Sequence, residues 1–129
     1  MRLLMDTHAL LWWVTDDRKL PRQCVAWIED RSNDIAINPV SACEIRFKTL
    51  KGLLPHGETA IEAIGRVAEQ AGFVPLPLTW AHALVAGALP LPHRDPFDRL
   101  LSAQAIAEGY ALLSADAAFD ALGAPRLWS

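Results

Sequence analysis

The sequence predicts an α/β domain: a mostly parallel sheet of four to five strands covered by helices. Short apolar runs of strand length alternate along the chain with longer segments of helical periodicity, the pattern of strand–helix–strand crossovers. At 129 residues, with 52% hydrophobic and 21% charged residues, the chain is long enough for one continuous core. No repeat or low-complexity linker divides it, so residues 1–129 read as a single domain.

Arg2 to Met5 reads as a first strand ending in Asp6, and Ala9 to Val14 as the helix that follows. Leu20 to Asp30 is a second helix with Pro21 near its start, where a helix tolerates proline. Asp34 to Asn38 is a buried strand closed by Asn38-Pro39. Ser41-Ala-Cys-Glu44 has the spacing of a capping box and predicts a helix from there to about Leu50, ended by Gly52 and Pro55. Glu58 to Ala71 carries Ile61, Ile64, Val67 and Ala68 on one stripe, with Gly72 as its stop. Phe73 to Leu76 is a short strand that Pro75 assigns to an edge. Thr79 caps a helix to Ala88. Asp95-Pro96 opens another, with Asp as cap and Pro at the first helical position, and Gly109 ends it. Ala111 to Ser114 is a fourth strand, 117–122 a helical turn, and Arg126 to Trp128 a final strand.

A net charge of −3 excludes the broad basic face of a strong nucleic-acid binder. Residues 71–92 contain no Asp, Glu, Lys or Arg, yet Pro75, Pro77, Pro90 and Pro92 limit any helix there to about a dozen residues, too short for the roughly 20 that span a bilayer. Asp6 falls where a secretory leader needs continued apolar residues, and Cys24 and Cys43 match no zinc spacing. A soluble, cytoplasmic protein with reduced thiols is expected.

In an open parallel sheet, ligands bind at the carboxyl ends of the strands. Asp6 and Asp116 follow strands directly, while Glu44 and Asp98 lie early in helices that begin at that edge. Each alone has a bland explanation: a turn or capping residue for Asp6 and Asp116, a capping-box partner for Glu44, a first-turn charge for Asp98. Four from four segments at one edge is a different matter. Clustered carboxylates raise one another's pKa, and a divalent cation removes the conflict. All-oxygen ligation suits Mg²⁺ or Mn²⁺ rather than zinc.

The string Leu4-Met5-Asp6-Thr7-His8-Ala9-Leu10-Leu11-Trp12-Trp13 resembles the opening of PIN-domain proteins, specifically the VapC-like toxins of bacterial toxin–antitoxin pairs. Ser41-Ala-Cys-Glu44-Ile45, with Lys48 one turn on, resembles that family's second motif. The most specific match is His93-Arg94-Asp95-Pro96-Phe97-Asp98-Arg99-Leu100-Leu101, and Leu113-Ser114-Ala115-Asp116 with Trp128 completes the series. The resemblance implies a three-layer α/β/α, Rossmann-like fold and Mg²⁺- or Mn²⁺-dependent hydrolysis of RNA. Its acidic set maps to Asp6, Glu44, Asp98 and Asp116, with Ser114, Asp95 and Thr7 in support. Ala115 departs from the basic or polar residue common at that position, so RNA contact there is not implied. A homodimer captured by a cognate antitoxin is also implied.

Arg46, Lys48, Arg94 and Arg99 are the candidate phosphate contacts. His8 and His93 adjoin the carboxylates as rim or structural residues. The five tryptophans, Trp12, Trp13, Trp27, Trp80 and Trp128, are expected in core or interface packing rather than base stacking. Two other functions compete. A phosphotransfer or phosphatase domain also places Asp at strand ends, but His8 stands where a dehalogenase-type site needs a second Asp, and no Gly-rich phosphate loop occurs. A catalytically silent binding module leaves four mutually repelling carboxylates without a purpose.

Overall fold

The structure, a computed structural model, describes all residues except 91, 92 and 129. Five strands, β1 (Arg2–Met5), β2 (Asp34–Ile37), β3 (Val74–Pro75), β4 (Ala111–Leu113) and β5 (Arg126–Leu127), form one sheet in the order β3-β2-β1-β4-β5. Every pairing is parallel. The chain winds from β1 to one edge, returns, and winds from β4 to the other. Winding therefore reverses beside β1, and the carboxyl end of β1 is where such a sheet opens a crevice.

The helices are α1 (Thr7–Val14), α2 (Arg22–Glu29), α3 (Pro39–Leu50), α4 (Gly57–Ala71), α5 (Trp80–Ala88) and α6 (Pro96–Glu108), followed by a 3₁₀ turn over Ala117–Leu122. Side chains alternate along a strand, so β1 feeds two cores. Leu3 and Met5 join Leu10, Cys24, Ile28 and Ile35 on the face that α1, α2 and α4 contribute to; Leu4 joins Ala36, Leu101, Leu112 and Phe119 on the other. Each fully buried leucine contributes about 1.5–3 kcal/mol. This is the three-layer α/β/α arrangement the sequence predicts, with β3 at an edge where Pro75 costs no internal pairing. No helix among the described residues is long and apolar enough to cross a membrane.

One expectation is corrected. Helix α3 begins at Pro39, not after Ser41: Asn38 is its cap, accepting a hydrogen bond from the Ser41 amide. Pro39 suits the first helical turn because no intrahelical acceptor awaits its nitrogen. Ser41 and Glu44 thus lie inside the helix, and Glu44 is not a capping-box partner. Among the tryptophans, Trp80 is 81% exposed, whereas Trp12 packs against Trp128 and Trp13 against Phe73, with ring centroids 6.0 and 6.1 Å apart.

Candidate active site

Asp6 leaves β1 and caps α1, its Oδ1 accepting from the Ala9 amide at 2.7 Å. It is only 4% exposed. Burial pushes its pKa above the ordinary carboxylate range and the Glu44 charge adds to this, against hydrogen bonds from Ser114 and Ala9 and the nearby His8. Ser114, fully buried at the end of β4, also accepts the Asp116 amide at 3.0 Å, so one hydroxyl ties two of the acidic segments together.

Glu44 projects from the second turn of α3 and is buried. The Thr7 hydroxyl donates to its Oε1 at 2.7 Å and lies 3.2 Å from Ser41 Oγ. Lys48, one turn further on, forms an ion pair with Oε2. Asp95 caps α6 by accepting the amides of Phe97 and Asp98. Asp98, in that first turn, meets His93 Nε2 at 2.9 Å. Its pKa is pushed up to about 6, first by burial and then by the charges of Asp95 and Glu44, with the His93 hydrogen bond opposing. Asp116 caps the 3₁₀ turn through the Ala118 amide at 2.9 Å.

Asp6, Glu44, Asp95, Asp98 and Asp116 line one pocket of about 120 Å³, together with Thr7, His8 and Lys48. Burial first, and neighbouring carboxylates second, disfavour the charged forms of Asp6 and Asp98, and the donors are the oxygens that a hard cation prefers. In kind, the residues fit a divalent ion. Their present positions are looser: among the described residues no three His, Cys, Asp or Glu side chains are arranged to hold one. Glu44 is already engaged on both oxygens by Thr7 and Lys48.

The basic residues separate into distinct roles. Arg99 is not free to meet a phosphate. Its Nε, Nη1 and Nη2 donate to the carbonyls of Ala86, Gly87, Leu89, Pro90 and His93 at 2.6–3.3 Å, and this rigid fork secures the end of α5 and the segment bearing His93. Arg46 reaches Glu58 on α4 at 2.9 Å, away from the carboxylate pocket. Arg94 is exposed. Sequence reasoning missed three positioning residues. Buried His82 completes a capping box with Thr79 and meets Glu108 at 2.8 Å. Gln104 joins Asn38 at 2.7 Å and also donates to the carbonyls of Leu76 and Pro77. Arg126 pairs with Asp120 and donates to the Ser114 carbonyl at 3.1 Å, bracing the turn that presents Asp116. Only the capping spacing Thr79-x-x-His82 was a local signal.

The PIN-domain family model matches residues 3–125. The chain belongs to the PIN-domain family. Its fold is similar to a chain of VapBC2 from Rickettsia felis, solved bound to a DNA fragment from its promoter, with a TM-score of 0.73, 16% identity and all of both chains covered. It is likewise similar to a chain of FitAB bound to the IR36 DNA fragment, with a TM-score of 0.65 and 17% identity over 97% of this chain and 93% of that one. A chain of FitAcB from Neisseria gonorrhoeae gives 0.60 and 19%, covering 97% and 96%. No curated protein matches the sequence significantly.

Proposed function

We propose that the chain is a metal-dependent endoribonuclease, the toxin component of a VapC-like toxin–antitoxin pair. One observation carries this reading: carboxylates from β1, α3, α6 and the segment after β4 line a single pocket at the carboxyl edge of the sheet. Asp6, Glu44, Asp98 and Asp116 would hold Mg²⁺ or Mn²⁺. Such an ion would supply charge to polarise a phosphodiester and to activate water for attack.

The protein's own part is positioning. Ser114 and the Ala9 amide hold Asp6 in one orientation, and Thr7 does the same for Glu44. The cap made by Asp95 fixes the start of α6, and His93 fixes the Asp98 carboxylate. Arg94 is the basic residue best placed by sequence and exposure to meet an incoming phosphate. Exposed apolar side chains such as Leu50, Trp80 and Leu84 support protein partners, proposed as a cognate antitoxin and a second copy of this chain.

The deciding experiment incubates purified protein with total cellular RNA, with and without Mn²⁺, and maps fragment ends. Discrete ends that form with Mn²⁺ and vanish in EDTA are expected. Cleavage that persists in chelator overturns the mechanism. A second reading, a silent binding module, draws on the Lys48–Glu44 pair, which already neutralises part of the cluster; tight partner binding with no cleavage under any metal would establish it.

A further inference from the structure

Among the described residues, Glu44 is the one pocket carboxylate paired with a lysine. Its side chain is 6% exposed, while that of Lys48 is 31% exposed. A surface pair at this helical spacing contributes little. Here the carboxylate is buried, so removing its partner leaves a charge with no water to neutralise it. Thr7 donates to the other oxygen, so each Glu44 oxygen already has one protein donor. Lys48 also lines the pocket shared by Asp6, Asp95, Asp98, Asp116 and His8. Its ammonium sits on a flexible four-carbon stem and keeps contact with solvent, so it has a route out.

Resting on the metal-dependent reading above, we propose that Lys48 is an internal counter-ion of the acidic pocket, holding Glu44 until a divalent cation displaces it. This accounts for two observations together: the donors suit a hard cation, yet among the described residues no three are drawn together to hold one. Lys48 then sets a threshold for metal loading, because each ion must compete with a tethered positive charge.

The test measures Mn²⁺ binding by calorimetry to chelator-stripped protein, comparing wild type, Lys48→Met and Lys48→Arg. Lys48→Met is expected to bind Mn²⁺ roughly tenfold more tightly, the effect of removing one unit charge a few ångströms away. Lys48→Arg, which keeps the charge, stays within about twofold of wild type on the same argument. A second measurement needs no variant. The chain has three lysines, Lys19, Lys48 and Lys51, and reductive methylation read by mass spectrometry reports each. Saturating Mg²⁺ is expected to speed labelling of Lys48 several-fold while Lys19 and Lys51 keep their rates. Equal or weaker Mn²⁺ binding by Lys48→Met, or an unchanged Lys48 labelling rate, overturns the counter-ion role and leaves the metal reading standing. Wild type and Lys48→Met that both bind no Mn²⁺ overturn the two together.

Discussion

Two cavities flank the amino-terminal half of α3, and they differ in size and chemistry. On one side is the carboxylate pocket of about 120 Å³. On the other is an apolar groove of about 540 Å³ lined by Leu10, Ile37, Ile61, Ile64, Leu76 and their neighbours. The larger space is where helices and the β2–β3 edge meet with little polar chemistry. The smaller one gathers charge from four separate segments. Of these two the groove is the larger, yet it is the small pocket that holds Asp6 and Asp98, both raised above the ordinary carboxylate range, as groups at sites of chemistry often are. Ser41 belongs to both neighbourhoods, lining the groove while its hydroxyl touches Thr7.

The strongest way to sharpen the contrast is Asp6→Asn. Asparagine still caps α1, so the fold should be unchanged or slightly more stable, while cleavage with Mn²⁺ should drop by at least about a hundredfold if the carboxylate helps to hold the ion. Thermal melts alongside the RNA assay check this; a variant that unfolds would assign Asp6 a structural role.

A smaller effect concerns Asp98. Its folded pKa of about 6 lies above the unfolded value of 3.8, so the folded chain binds the proton more tightly. The penalty for the charged form is absent below about pH 3.8 and complete above about pH 6. In chelator, Asp98→Asn should therefore stabilise the protein at pH 7 by about 1–2 kcal/mol, an advantage that fades as the pH falls through that window. Denaturant melts at pH 7 and pH 4 measure it. Destabilisation at pH 7 would mean that the carboxylate is needed by His93 more than it is strained by its neighbours.

The least effect is expected in the groove. Ile61 is half-buried at its wall, and Ile61→Ser should cost about 1 kcal/mol or less with cleavage within twofold of wild type. A large loss of cleavage would erase the distinction between the two cavities.

Most of the elements were legible because their signals are local. Asp6, Thr79 and Asp95 each cap the helix that follows within two or three residues, and Gly72 and Gly109 end α4 and α6 with left-handed backbone at φ 73°, a conformation that glycine adopts without strain. The α3 boundary was misjudged because two capping patterns overlap, Asn38-Pro39 and Ser41 to Glu44. The chain uses the earlier one, since Asn38 is also held by Gln104, 66 residues away.

The order of acidic residues at strand ends, the caps and the alternation of strand with helix are written in the sequence, since each depends on neighbours a few positions apart. What tertiary structure alone decided is the use of the basic residues. Arg99 and Lys48 are chemically suited to phosphate wherever they face water. The fold instead surrounds the Arg99 guanidinium with five carbonyls and buries Glu44 beside Lys48. A charged side chain takes its role from what is desolvated around it, and desolvation exists only once distant segments have packed together.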